Sequence, residues 1–568
     1  MSKILYVALK NDAVEKEQVN KIEAICSTIN PNNIEPNPTK VFSKNKIIVG
    51  ISNPVQSIEV KGVNVLLGQA FKKNEDWDVV GGSNPDGNYA IFRANDEKVE
   101  IVSDILGTRA VWYFKNEEIF IASTSQRAIV QYLNDFQFND KVIPWFLSNG
   151  LLGPGLSWDK RFSLVPPDSS LVLNFKDWSC KIETREVKFK PNNKSDKENI
   201  ETLHKTLEST FSELNLDYSK WNLTLSGGYD SRGNFCLLPK RDNKDKKLHT
   251  ITWGFDESQN IKDNDAYVAK KLSRKYDLPH TFFSTDNPNE PLEVILDRFF
   301  KNGEGRIDHI GGYMDGFEIW KTLFDNKIRG VIRGDEVFGS YDFISSFHLR
   351  KFVGLTICSD YNDLEDFPYL KSFNQEIPKE FERKVNESNE IWRDRLYQSL
   401  YVPLILTSLA DLKQGYVEQI NPLLSKKIVT LIREMPDHLR TDKYAFRQIV
   451  NSLSPKVKFA DRSASLSGKD IYKDERMVKI IRSELQAPLS KTIFSADFIS
   501  SLLDKMVISE SNINNKMTLL STIKKLVPKT LKRKILKKTF TTKMEVNRLA
   551  FRAFIIVRMI RIFKEDTK

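Results

Sequence analysis

Cysteine is scarce in this chain: four residues among 568 (Cys26, Cys180, Cys236 and Cys358), with neither metal-ligand spacing nor the pattern of a disulfide framework. That argues against a cysteine-built zinc centre and suits a reducing compartment. The six histidines show no HExxH or paired spacing, so they offer no metal site either. No apolar run reaches the ~18 residues of a membrane-spanning helix. The opening stretch "MSKILYVALKNDAVEKE" turns to charge too early for a signal peptide. A cytoplasmic protein is expected. No GxxxxGK[ST] occurs, which excludes a Walker-type loop for γ-phosphate transfer.

What is present is an ordinary globular composition, 40% hydrophobic and 28% charged. The length predicts two or three domains. The net charge of +11 is not spread evenly. Residues 522–568 carry fifteen Lys/Arg against three acids, a local charge of +12, which leaves the rest of the chain near −1. Basic character therefore belongs to the tail.

Residues 1–185 hold short β-like runs such as "KILYVAL", "KIIVGI", "VNVLLGQAF", "GNYAIFRA", "KVEIVSD", "EIFIAST" and "SSLVLNF". Turn residues punctuate them, so a largely antiparallel sheet structure is predicted. "KFKPNNKSDKENIE" reads as a linker. From about residue 200 the apolar period changes: "IETLHKTLESTFSEL" is helical, and "WNLTL", "HTITWGF" and "IRGVIRG" are strands alternating with helices. Such alternation implies a parallel sheet with ligands at the carboxyl ends of its strands. Residues 390–470 read as mainly helical.

Between the strand "WNLTL" and the helix "RGNFCLL" lies "SGGYDS", residues 226–231. Two glycines allow unusual backbone angles and close approach of an anion to N–H groups. The following helix start adds free amides and a positive dipole end. Ser226 and Ser231 add hydroxyls, and Asp230 is suited to a magnesium ion beside phosphate. A pyrophosphate cradle fits these ingredients; a sharp strand-to-helix turn is the plainer alternative.

On this loop, "TITWGF" (250–255), "DNDAYVAKKLSRKYDLPHTFF" (263–283), "RGDEVFGSYD" (333–342) and "EQINPLL" (418–424), the chain resembles the asparagine synthetase family. That family of ATP pyrophosphatases also contains β-lactam synthetases and lasso-peptide cyclases. The resemblance covers about residues 1–470. "DGNYAIFRANDEKVEIVSDILGTRAVWYF" (86–114) and "IFIASTSQRAI" (119–129) are similar to its class II glutamine amidotransferase domain. The fold it implies is α/β and α+β. An N-terminal Ntn-type αββα sandwich (1–187) and a linker (188–200) precede a PP-loop parallel-sheet synthetase domain (201–470). A helical, basic extension (471–568) follows.

The resemblance implies ATP and Mg2+ as cofactors. Asp230 and Asp335 would hold magnesium. Ser226, Gly227, Gly228, Asp230 and Ser231, with Gly254 and Gly334, would contact ATP or pyrophosphate. Arg462, with Lys458 nearby, would stand in for the family's catalytic lysine. Ser2 stands where active amidotransferases have cysteine, and the "RGPD" segment is missing, so no glutaminase is expected. Ile332 replaces a Glu or Tyr, Ile420 an Arg and Ser425 an Asp; Arg109 reads as fold support.

The implied activity is an amide-bond-forming ligase that adenylates a small-molecule, peptide or sugar carboxylate for attack by an amine or ammonia. The alternatives are an asparagine synthetase and a catalytically inactive ATP-binding or scaffold homologue. "TIKKLVPKTLKRKILKK" (522–538) and "LAFRAFIIVRMIRIF" (549–563) interleave bases with large apolar residues. Residues 522–563 are read either as contacting an anionic membrane surface, at the inner face of a membrane, or as a helix packed on the body. Nucleic acid is not the expected partner.

Overall fold

The computed structural model describes residues 2–11, 14–55, 58–72, 75–238, 248–286, 290–343, 345–464, 470–508 and 543–568. The protein is mixed α/β, with three sheets among the described residues, one of them parallel.

Twelve described strands precede residue 185. The first six are β1 (Lys3–Leu9), β2 (Lys40–Lys44), β3 (Ile47–Ser52), β4 (Glu59–Lys61), β5 (Asn64–Ala70) and β6 (Gly87–Ala94). They continue as β7 (Lys98–Ser103), β8 (Trp112–Lys115), β9 (Ile119–Ser123), β10 (Ser163–Leu164), β11 (Ser169–Asn174) and β12 (Cys180–Thr184). They form two six-stranded antiparallel sheets, ordered β10-β8-β9-β1-β3-β2 and β12-β11-β7-β6-β5-β4. The period-2 alternation of these strands explains the packing. Tyr6, Val49, Ile51 and Phe120 of one sheet meet Val65, Leu67, Phe92 and Leu171 of the other in one apolar layer. The opposite face of the first sheet, with Leu5, Val7, Ile48 and Ile121, is covered by helices Lys16–Thr28 and Gln126–Leu133.

Five strands build the second half: β13 (Trp221–Thr224), β14 (His249–Gly254), β15 (His280–Ser284), β16 (Gly330–Ile332) and β17 (Glu418–Ile420). All pair in parallel, in the order β15-β14-β13-β16-β17. The order runs outward in both directions from β13 and β16, so the chain reverses its direction of winding between these two strands. In such sheets a crevice opens there, at the carboxyl ends.

One reading of the sequence needs correction. The helix expected from Ile200 begins at Asp196, inside the proposed linker. Ser195 and Glu198 form a reciprocal capping box there, which fixes the start. The residues before it are tied down rather than free: the Lys190 and Asn192 amides donate to the carbonyls of Arg433 and Glu434 at 2.8 Å. Residues 390–470 are mainly helical, as expected; the stretch also holds β17, whose three residues are too few to show a period.

The helical segment from Asn389 to Gln414 is continuous, but Tyr397–Leu406 is wound as a π-helix with Pro403 inside it. Proline lacks an N–H and crowds the preceding turn, and wide turns of this kind concentrate at functional sites.

The last helix, Val546–Glu565, buries Leu549, Phe551, Phe554, Ile556, Met559 and Phe563, among others. Its arginines face carboxylates: Arg548 and Arg552 bind the wholly buried Asp308, and Arg558 and Arg561 bind Glu484. Asp566 pairs with Arg127 of the first half. The second segment of the basic tail is thus part of the core, with its apolar side chains against protein. Residues 522–538, the first segment, lie outside the described residues. No described helix is long and apolar enough to cross a membrane.

Candidate active site

The segment Ser226–Ser231 leaves the end of β13 and enters the helix Tyr229–Leu237 at the winding reversal. The loop is internally cross-linked. The Ser226 amide donates to Ser231 Oγ at 3.0 Å, the two hydroxyls lie 2.9 Å apart, and the Gly228 amide donates to Ser226 Oγ at 3.2 Å. The Gly227 amide is taken by Asp265 Oδ1 at 2.9 Å. No side chain caps the helix that follows, so its first-turn amides and positive dipole end face the crevice.

The glycines serve a different purpose from the one read in the sequence. Gly227 and Gly228 are not among the residues at positive φ, and Gly228 sits at φ −83°, ψ 177°. Close approach is what requires Gly227: a Cβ there would lie 2.3 Å from the Cβ of Ala460. Gly254, at the end of β14, is pressed against the Ala464 carbonyl in the same way. Gly334 lies against the backbone of Asp230 and Ser231, which lets the β16 loop dock directly on the β13 loop. A Cβ on Gly228 would meet only Ser226 Oγ, at 3.5 Å.

This docking gathers three acids. Asp230, Asp335 and Glu336 line a cavity of about 420 Å3 with Lys443, Arg447, Asp442 and a wall of aromatic rings. Lys443 Nζ lies 2.8 and 2.9 Å from the two oxygens of Asp230 and 2.9 Å from Glu336 Oε1. Burial alone would lower its pKa, but Glu336 and Asp230 outweigh burial and raise it, so the ammonium stays charged. Burial raises the Glu336 carboxyl above its ordinary value; Lys443 opposes the rise and Asp230 adds to it. Asp442 and Lys443 both adopt left-handed backbone angles, φ 55° and 57°. Each costs a non-glycine residue about 1 kcal/mol. That strain aims Lys443 at the acids, as strained residues at functional sites commonly do.

The aromatic wall comes from the π-helical stretch and its neighbours. Tyr397 and Tyr401 stack at 4.7 Å, Phe352 stacks on Tyr401 at 4.6 Å, and Phe343 continues the series to the exposed Tyr341. Burial pushes the Tyr401 phenol up to about 12, and the charges of Asp335 and Glu336 add to the rise.

Arg462 is not brought to this cavity. Its side chain is 58% exposed in a 3.6 Å ion pair with Asp461, and its carbonyl accepts the Asp265 amide. Lys458 is likewise outside, paired with Asp263 at 2.6 Å. Lys443 is the cation the sequence reading missed, although "DKYAFR" lies on an amphipathic helix start. Only the fold shows that it points at "SGGYDS". Ser2 is 1% exposed; its hydroxyl donates to the Asn53 carbonyl and accepts the Val55 amide, so it is engaged in structure. Arg109 makes a buried ion pair with Glu418 of β17, joining the two halves. Ile332 and Ile420 are fully buried in the core of the parallel sheet. Ser425 caps the helix Lys426–Glu434 and donates to Asp86.

No protein-family model matches this chain, and no curated protein does so either.

Proposed function

We propose that the protein is an ATP-dependent ligase that adenylates a carboxylate, releases pyrophosphate and passes the acyl group to an amine. One observation supports this reading most: at the winding reversal of a parallel sheet, Asp230 of the Ser226–Ser231 loop lines one cavity with Asp335 and Glu336. The resemblance to the asparagine synthetase family, with its PP-loop and Ntn-type sandwich, points the same way.

The free amides at Tyr229–Ser231 and the Ser226 and Ser231 hydroxyls suit the oxygens of a leaving pyrophosphate. Magnesium commonly takes one or two carboxylates plus substrate phosphates rather than an all-protein cage. Asp230 and Asp335, which line the same cavity, would fit that role. When bound, the ion would offset phosphate charge. Lys443, held charged at the cavity, would meet the negative charge that develops at the α-phosphate. Ser2 is buried with its hydroxyl engaged, which fits an acceptor that is an amine or free ammonia rather than one released by the first half.

The test is calorimetric binding of Mg·ATP followed by ATP–pyrophosphate exchange with a panel of carboxylates. Binding by the wild type, lost in Asp230→Ala and in Asp335→Ala, supports the reading. A folded wild type that binds no Mg·ATP overturns it and leaves a scaffold.

A further inference from the structure

The cavity beside Asp335 has two walls of different chemistry. One carries the charges described above; the other is aromatic, with Tyr341, Phe352, Tyr397 and Tyr401 all lining it. Phe352 and Tyr401 are held from behind by an apolar cluster that includes Leu349, Val353, Trp392 and Leu396. Tyr397 and Tyr401 stand four residues apart on the π-helical stretch, and their hydroxyls have no hydrogen-bond partner among the described residues. Tyr341 ends the series at the outside, packed on Phe343 at 4.8 Å yet 50% exposed. Packing accounts for the inner rings but not for the outer one. Aromatic rings left open along a cavity mark a surface that a ligand covers.

The charges decide what kind of ligand. Asp230, Asp335, Glu336 and Asp442 share the cavity with Lys443 and Arg447, four carboxylates against two cations. Both cations are already engaged, Lys443 by Asp230 and Glu336, and Arg447 by Asp442 at 2.5 Å. Among the described residues the Asp335 carboxylate has one ion pair, a long one of 3.7 Å to Arg333. Asp335 and Glu336 both act on the Tyr401 phenol, so acids and rings share one end of the cavity. Mg·ATP is itself an anion, and its arrival would deepen the negative excess. A negative site faced with aromatic rings selects an organic cation.

We infer that the aromatic wall seats the acyl acceptor, and that the acceptor is an alkylamine carrying an aromatic ring. The ring lies against Tyr341 and Tyr401, where flat surfaces stack, and the ammonium faces Asp335. Free ammonia has no surface to place against four rings. This assignment rests on the ligase reading and chooses between the two acceptors which that reading leaves open.

The experiment compares wild type, Tyr341→Ala and Tyr401→Leu in calorimetric titrations without nucleotide. The titrants are phenylethylamine, ammonium chloride and phenylpropanoate, the last keeping a ring but carrying a carboxylate in place of the amine. Mg·ATP is titrated separately, and the melting temperature of each protein is recorded. The wild type is expected to bind phenylethylamine at least tenfold more tightly than ammonium or phenylpropanoate. Tyr401→Leu should weaken the amine about tenfold and Tyr341→Ala about threefold. Tyr341 is exposed, so Tyr341→Ala decides the matter even if Tyr401→Leu melts early. No phenylethylamine binding by the wild type, or equal binding by all three proteins, overturns the assignment. Phenylpropanoate binding as tight as the amine would make the wall the seat of an aromatic acid and overturn it too. Loss of Mg·ATP affinity in Tyr341→Ala with the amine unaffected would assign the rings to the adenine base, with the same consequence. A wild type that binds phenylethylamine but no Mg·ATP supports the amine site and overturns the ligase reading alone, so the two fail separately.

Discussion

Replacing Lys443 by methionine removes the cation that bridges Asp230 and Glu336 while leaving the volume of the side chain nearly unchanged. In the native protein its ammonium is within 2.9 Å of both carboxylates, so their oxygens lie less than about 6 Å apart. At an effective dielectric of about 20, two carboxylates at that separation repel by about 3 kcal/mol. The Asp230 side chain is 33% exposed, and water there screens part of the repulsion. The expected loss of stability at pH 7.5 is therefore about 2–3 kcal/mol.

The sign of its pH dependence follows from which group titrates. Lys443 has a raised pKa in the folded state, so its contribution is complete across neutral pH and is lost only in strong alkali. Glu336 already has a raised pKa, and loss of Lys443 raises it further. A carboxyl raised on folding destabilises the native state above its folded pKa and stops doing so as it becomes protonated. The deficit of Lys443→Met should accordingly shrink as pH falls from 7.5 towards about 5. Urea denaturation at the two pH values reads this directly. Millimolar Mg2+ should also restore part of the loss in the variant, since the acids are released for a cation. A deficit that is equal at both pH values and indifferent to Mg2+ would refute the electrostatic account.

Gly227→Ala and Gly228→Ala should separate sharply: the first drives a methyl into Ala460 and weakens Mg·ATP binding and the docking of residues 455–464, while the second is tolerated. Calorimetry and limited proteolysis of the pair check this. Asp308→Asn leaves Arg548 and Arg552 without their buried counter-charge and should cost about 3–5 kcal/mol of unfolding free energy. Asp308 has a pKa well below the carboxylate range, despite burial, because of those arginines, so the wild-type advantage is present above about pH 4 and disappears as acid protonates it. Arg462→Ala should leave pyrophosphate exchange within about twofold of wild type, whereas Lys443→Met abolishes it. An equal loss in both would return Arg462 to the site.

The strands legible in the sequence are those whose two faces are both decided by packing. β1, β6 and the runs at β7, β9 and β11 carry apolar side chains wherever they meet the layer between the sheets or the helices outside it. The four sheet edges, β2, β4, β10 and β12, were not legible, because they are short and mostly exposed and so carry no alternation. The same division holds at the site. "SGGYDS" and "RGDE" stand out in the sequence as glycines beside an acid, and at Gly227 and Gly334 close backbone approach gives that glycine its reason. Lys443 and the stacked tyrosines could not, since nothing local distinguishes a lysine that bridges two carboxylates from one in water.

The C-terminal helix shows where pattern reading ends on physical grounds. "LAFRAFIIVRMIRIF" presents arginines among large apolar residues at helical spacing, which serves equally for lying on an anionic membrane and for packing inside a protein. Hydrophobicity cannot choose between these, because both environments are apolar. The choice is made by the counter-charges. Phosphates of a lipid surface would meet all the arginines on one side, whereas here they are met in pairs, Arg548 and Arg552 by Asp308, Arg558 and Arg561 by Glu484. Those acids come from distant parts of the sequence and are themselves buried, where an unpaired carboxylate would be costly. Each pairing therefore explains both partners: the arginines make the buried acids tolerable, and the acids hold a basic helix inside the core. The basic tail and the interior acids form one electrostatic unit that no window of sequence contains.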